Sequence, residues 1–267
     1  MYDKLDREVL SRAIEVIKAS IYRFNDILSS PPDTSAALDK FLSNKVDVEV
    51  VEDPGHVNDF LDGEAYYTPF GELLETGLQG GRALCKPLSK EDVARLDMGV
   101  IYADSVSLDT GTIFIAHPYK YIPLSTHARR LVVVAGEERL FNSFIDAFRV
   151  AHEISLLHRE RVNIGAISSP SRTGDIEKRV VYGAHGPREV KLLIIKRGFL
   201  KPYRLYLIRY LPRILGLEDC EAAPLMDPFL SRPYIEGLDN VYRGFFREWG
   251  YDIELVGEGL RWRSLET

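Results

Sequence analysis

The sequence predicts an α/β fold with a largely parallel, covered sheet, and two observations carry that expectation. Short apolar runs bounded by turn residues recur from residue 98 onward: "MGVIYAD", "GTIFIA", "RLVVVAG" and "VKLLIIK". Runs of that length and composition read as buried strands. Among them lies "EERLFNSFIDAFRVAHEISLLHRE" (137–160), with Leu140, Phe141, Phe144, Ile145, Phe148, Ala151, Ile154 and Leu157 on one helical stripe. Strands that alternate with helices bury a parallel sheet on both faces.

The other elements follow in chain order. Residues 4–28 space Leu5, Val9, Ala13, Val16, Ile17, Ile21, Phe24 and Leu28 at three- and four-residue steps, an amphipathic helix. Pro31 and Pro32 break it, and a second helix starts near Asp33 or Thr34. "VDVEVV" (46–51) alternates as a strand does. Residues 53–82 mix turn residues with short helical pieces. "NIGAIS" (163–168) is strand-like, "GDIEKRVVYG" (174–183) a short helix, and "VKLLIIK" (190–196) a buried strand. After Gly198 the rhythm gives way to a stretch rich in Tyr, Phe, Trp and Pro. The expected division is therefore an α/β domain over 1–198 and an aromatic-rich extension over 199–267 packed on it.

Composition excludes several functions. A net charge of −6 argues against nucleic-acid binding, which needs a clustered cationic surface. No apolar run approaches the ~20 residues of a membrane span, and the charged "MYDKLDREVLSRAIEVIK" lacks the core of a signal peptide. Cys85 and Cys220 lie far apart without a pairing motif, which suggests inert thiols in a reducing cytoplasm. A single glutamine, Gln79, is a bias of thermophilic proteins. An iron–sulfur cluster usually takes four thiolates, and no G-x-G-x-x-G follows a strand. Any redox cofactor is then expected on a partner. His117, His152 and His158 have no metal-ligand company, so no metal is expected. No G-x-S-x-G elbow is present, which excludes the usual serine-hydrolase arrangement.

One stretch stands apart. "ISSPSRTGDIEKRVVYGAHGPREVKLLII" (167–195) crowds small polar and ionisable groups between two apolar runs. Read as strand, turn and helix, it places first-turn amides where an anion binds. Ser171 and Thr173 then cap or bind, and Arg172 grips a carboxylate or phosphate through parallel hydrogen bonds. An ordinary helix start accounts for the same residues equally well, with Asp175 and Glu177 in the first turn. Those two acids are two apart and share no face, so they make a poor carboxylate pair.

Further motifs join it. Asp109-Thr110-Gly111-Thr112 precedes one strand, and Pro123-Leu124-Ser125-Thr126-His127 precedes another. Ser169-Pro170-Ser171-Arg172-Thr173-Gly174-Asp175-Ile176-Glu177 is followed by Gly183-Ala184-His185-Gly186-Pro187. In run and spacing these resemble the LUD domain, the family of lactate-utilization protein C. Ser169 stands where that family has glycine, and Gly174 where it has alanine.

The resemblance implies a three-layer α/β/α fold like that of ribose-phosphate isomerases and CoA transferases. It also implies a role beside an iron–sulfur protein and a cysteine-rich protein that together oxidise L-lactate to pyruvate, with no cofactor on this chain. A small carboxylate or phosphate is expected at strand-end turns formed by Thr110, Gly111, Thr112, Ser171, Arg172, Thr173, Asp175 and Gly186. His185 and His127 are the candidate acid–base groups. Two other readings stay open: a stand-alone transferase, isomerase or ligase acting on a phosphorylated or CoA-linked molecule, and a non-catalytic interaction module.

Overall fold

The computed structural model describes residues 34–52, 54–61, 64–69, 78–157, 161–174, 180–182, 186–196, 220, 251–256 and 259–264. The expected helix over 4–28 and most of the 199–267 extension lie outside the described residues. So do Asp175, Glu177 and His185.

Six parallel strands form the main sheet. They are β1 (Asp47–Val51), β2 (Ala65–Tyr67), β3 (Arg82–Ala83), β4 (Met98–Tyr102), β7 (Arg130–Gly136) and β12 (Glu189–Ile195). Their order across the sheet is β1-β12-β7-β4-β2-β3. The continuous apolar runs are explained by burial on both faces. Ile101, Leu131, Val133, Leu192 and Ile194 point into one core. Val100, Tyr102, Val132, Val134, Leu193 and Ile195 point into the other. Helix α1 (Thr34–Ser43) leads into β1, and α2 (Lys90–Ala94) is capped by Ser89, whose side chain accepts the Asp92 amide.

A second sheet was not foreseen. It runs β8-β5-β6-β9, from β5 (Ser105–Ser107), β6 (Thr112–Pro118), β8 (Leu140–Phe141) and β9 (Val162–Ile167). "GTIFIA" and "NIGAIS" are strands, as expected, but they pair antiparallel with each other rather than within the parallel sheet. The helix expected over 137–160 is shorter. Residues Glu137–Arg139 make a 3-10 turn, and Leu140 and Phe141 pair with β5. The helix itself, α4 (Phe144–Leu157), covers the second sheet, with Phe114 edge-on to Phe144 and Phe148. Along β6, Ile113 and Ile115 face the core shared with the main sheet, whereas Phe114 faces α4.

The helix expected over 174–183 is a correction. Arg172–Gly174 (β10) and Val180–Tyr182 (β11) pair antiparallel, so the described residues of that stretch are strands where a helix was expected. A three-residue apolar run such as Val180–Tyr182 fits either period, and cross-strand pairing decided it. Towards the end of the chain β13 (Tyr251–Val256) pairs antiparallel with β14 (Gly259–Ser264).

Cysteine chemistry also departs from expectation. Cys85 and Cys220 are not separate thiols: they form a disulfide with Cα atoms 5.6 Å apart. It closes a loop of 135 residues and ties position 220 to the exposed segment after β3.

The amino ends of the central strands are stitched by charge. Asp97 receives Arg129 Nε and Arg130 Nη2, each at 2.6 Å, and the Asp97 carbonyl accepts the Arg130 amide. These two guanidinium bonds hold the Asp97 carboxyl below its ordinary range. A depressed carboxyl stabilises the fold above its unfolded-state pKa, ~3.9, and that contribution fades as pH falls through the folded value. Acid unfolding of Asp97→Asn should therefore start from a lower stability at neutral pH and show a shallower loss below about pH 4. Identical acid slopes in the variant and the parent would count against it.

Candidate functional site

Gly186 marks the place where three separated segments meet. A Cβ added there would lie 3.1 Å from Ser171 Cβ and 3.8 Å from the Thr126 carbonyl oxygen. The Ser171 amide donates to the Pro187 carbonyl at 2.8 Å. The Arg188 amide in turn donates to the Arg129 carbonyl, which anchors this turn to the start of β7. Around the junction opens a cleft of about 540 Å³ between the second sheet and the amino end of the parallel sheet. Its walls include Ile115 and His117 of β6, Asn163 and Gly165 of β9, the run from Ser168 to Ser171, and Gly186-Pro187. The remaining wall is α3 (Ile122–Thr126), which contributes Ser125 and Thr126.

The expected place is a strand end followed by a helix, the carboxyl side where open α/β sheets bind ligands. Ser168–Ser171 do follow the carboxyl end of β9, with β10 where the helix was expected, and they meet turns that precede β7 and β12. The second sheet closes over that edge and makes the concavity.

Helix α3 reaches the cleft because of a glycine. Gly99 in β4 lies directly beneath it, and a Cβ there would stand 2.4 Å from the Leu124 carbonyl oxygen. The absence of a side chain lets the helix backbone rest on the sheet. Ser125 Oγ and Thr126 Oγ1 both donate to the Ile122 carbonyl, at 3.0 and 2.9 Å. A hydroxyl has one proton, so each oxygen keeps acceptor capacity.

The D-T-G-T turn does something other than line the cleft. Gly111 takes φ +63, closing the β5–β6 hairpin, and Asn44 Nδ2 donates to the Thr110 carbonyl at 3.0 Å. Asp109 accepts the Ser107 hydroxyl and the Phe144 amide at the start of α4. Thr110 Oγ1 donates to Thr112 Oγ1 at 2.9 Å, and Thr112 Oγ1 lies 3.0 Å from Ser168 Oγ. Thr112 accepts from Thr110, and either hydroxyl of the Thr112–Ser168 pair can be the donor. Ser168 in turn lines the cleft. Thr110, Gly111 and Thr112 thus touch the site through Ser168.

Of the other expected residues, Ser171 and Gly186 line the cleft. Arg172 and Thr173 lie on β10 immediately after Ser171. His127 is exposed at the end of α3, its Nδ1 2.8 Å from Thr126 Oγ1.

His117 was read only as a lone histidine without metal company. It is 1% exposed, in the cleft wall, with Nε2 3.7 Å from Asp104 Oδ2. Asp104 is fully buried, and its Oδ2 accepts the Ala116 amide at 2.5 Å. The sequence carried a signal for this. Ile113, Ile115 and His117 alternate along one strand, so the histidine extends the core-facing row.

A second concavity of about 400 Å³ lies along the same edge, lined by Lys45, Asp47, Phe60, Arg130, Arg188 and Lys191 among others. One of its lysines is held by two carboxylates: Lys191 Nζ is 2.8 Å from Asp47 and 3.0 Å from Glu49, and sits over the Phe60 ring. Burial opposes the Lys191 charge, but the two carboxylates outweigh it and raise the pKa. Among the described residues no group of three or more His, Cys, Asp or Glu is placed to hold a metal ion. No helix among them is long and apolar enough to cross a membrane.

Comparison with known proteins bears on these same segments. The model of the LUD domain matches residues 86–195, from just after Cys85 to the last residue of β12. An uncharacterized protein of Neisseria meningitidis serogroup B is 29% identical over 113 residues, 42% of this chain and 48% of that protein. The match therefore spans about half the length of that relative. The crystal structure of a DUF162 family protein from Deinococcus radiodurans is 19% identical, with a TM-score of 0.46. That likeness covers 61% of this chain and 95% of the other.

Proposed function

We propose, from the match of residues 86–195 to the LUD domain model, that this protein serves lactate utilization by holding a small 2-hydroxy carboxylate in the inter-sheet cleft. The observation that carries the reading is the junction at Gly186. There the 168–171 run, the 186–187 turn and the end of α3 converge on one concavity.

The polar groups of that concavity suit a hydroxy acid. Ser168 brings a hydroxyl to the cleft for a carboxylate oxygen, while Ser125 and Thr126 keep oxygen lone pairs for a hydroxyl donor. Arg172, next in chain to Ser171, is the proposed grip on the carboxylate. Oxidation to the keto acid needs an electron acceptor. Cluster ligation takes thiolates, and both cysteines of this chain are bonded to each other. The electron carrier is accordingly proposed on iron–sulfur and cysteine-rich partner proteins, with this chain presenting the substrate.

Binding is the test. L-Lactate at a hundredfold excess over its Kd should add ~2.7 kcal/mol of stability, a rise of several degrees in the unfolding midpoint. In Gly186→Val the new methyl groups fill the space against Ser171, and the lactate-dependent rise should vanish while the fold remains. Stabilisation by ATP, CoA or a sugar phosphate, with none by lactate or pyruvate, would instead favour a stand-alone transferase or ligase.

A further inference from the structure

The second sheet ends in a strand that lacks the usual protection of a sheet edge. Its four strands run β8-β5-β6-β9, and β9 (Val162–Ile167) closes the series on one side. An edge strand offers a row of backbone donors and acceptors to any further strand, and proteins blunt such rows with charge, proline, bulges or shortness. At the other end of this sheet, β8 is two residues long. In the main sheet β3 is equally short, and β1 carries Asp47 and Glu49. β9 has six residues, VNIGAI, without charge or proline, and its Asn163 and Ala166 are exposed. We infer that β9 is the edge at which two copies of this chain pair, strand against strand and antiparallel, across a twofold axis.

The backbone groups involved follow from alternation along β6. The Phe114 carbonyl accepts the Asp104 amide at 3.0 Å, so Phe114 turns its peptide groups toward β5. Successive residues of a strand turn theirs to opposite sides. Ile113, Ile115 and His117 therefore bond toward β9, where they lie opposite Ile167, Gly165 and Asn163. The amides and carbonyls of Val162, Ile164 and Ala166 point out of the sheet.

Those three residues also form an apolar row. Ala166 lies opposite Phe114, which faces α4, so Val162, Ile164 and Ala166 are on the α4 side of β9. Ser105 of β5 donates to the Ala147 carbonyl of α4, while Phe144 and Phe148 lean over Phe114 of β6. The flank of α4 bearing those two rings is thus turned toward β9. It stays open and apolar: Phe148 is 43% exposed, and Ile145 and Leu156 on the adjoining stripe are 68% and 59% exposed. An incoming strand sets its own apolar row beside the first, on the side of that flank.

Charge selects the occupant. Across a twofold, each residue of β9 faces itself or a near neighbour in the same strand, and like charges opposed across strands are destabilising. From Val162 to Ser171 there is no charge to oppose. Self-pairing of β1 would set Asp47 and Glu49 against their own copies. The copy also matches in register, since its outward peptide groups belong to the same three residues. Asn163, Gly165 and Ala166 line the cleft as well, so the second copy's strand borders it and extends its wall. None of this depends on which ligand the cleft takes.

The experiment is sedimentation velocity of the full chain from low micromolar to near-millimolar concentration. A species of twice the chain mass should grow with concentration. Ala166→Pro removes an outward amide and no bond to β6, and Ala166→Lys puts like charges into the pairing. Both should sediment as monomers where the parent is a dimer, with the circular dichroism of the parent. Should neither variant fold, hydrogen exchange of the parent decides. The Ile164 and Ala166 amides should exchange more slowly as concentration rises, while those of Asn163 and Gly165, already bonded to β6, do not change. A monomer throughout with unchanged exchange overturns the inference. So does a dimer that persists in both variants, because it forms elsewhere, and so does a monomer whose edge is covered only by a different protein's strand.

Discussion

Reduction of the Cys85–Cys220 bond should lower the unfolding midpoint by roughly 10–20 °C. The cross-link closes a loop of 135 residues, and the chain-entropy treatment of a loop that long gives about 5 kcal/mol, the upper end of what disulfides contribute. Converted at the ~2–4 °C per kcal/mol typical of large domains, that is the stated shift. Cys85 is exposed, so a mild reductant reaches the bond without prior unfolding. Calorimetric scans with and without reductant, with thiols counted by titration, measure the effect. Cys85→Ser should melt at the reduced midpoint and ignore the reductant. Two freed thiols with an unchanged midpoint would show that the bond contributes nothing to stability. An exposed structural disulfide belongs to oxidising compartments or to the cytoplasm of hyperthermophiles, which removes the argument from cysteine usage for a reducing cytoplasm.

Gly99→Val should be nearly as damaging, and it should also reach the cleft. Even a methyl at this position would stand 2.4 Å from a backbone oxygen, which has no rotamer with which to move aside. Either β4 or α3 must shift, and overpacking of that kind costs typically ~1–3 kcal/mol, with backbone contacts at the high end or beyond. Because α3 carries Ser125 and Thr126 into the cleft, lactate affinity should fall along with stability. Gly99→Ala should do the same to a smaller degree. Urea unfolding paired with lactate titration checks both. A variant that loses several kcal/mol yet binds lactate as the parent does would show that α3 does not position the ligand.

Much of the fold was legible before any coordinates. The runs at β4, β7 and β12 are apolar at successive positions because both faces of the parallel sheet are covered, and a short sequence window carries that signal. The start of α1 after the Pro31-Pro32 break was legible for a similar reason, since helix starts have local chemistry. Partner choice was not. Nothing within "GTIFIA" states that it pairs with "NIGAIS" rather than with "RLVVVAG", because pairing depends on the whole chain path. The 172–182 stretch failed for a related reason: its strands are three residues each, too short for a period to show.

By itself the sequence determined which segments are strands of a covered α/β sheet, and which turns hold motifs that resemble those of the LUD domain. Both are set by local apolar periodicity and turn chemistry. Tertiary structure decided three things. It packed a second sheet against the first, so that Ser171, Gly186 and Thr126 meet at one cleft. It brought Cys85 within bonding distance of Cys220. It also set His117 against a buried carboxylate in the wall of the cleft. Each is a contact between residues far apart in the chain, and such contacts follow from how whole elements pack, which no local window of residues contains.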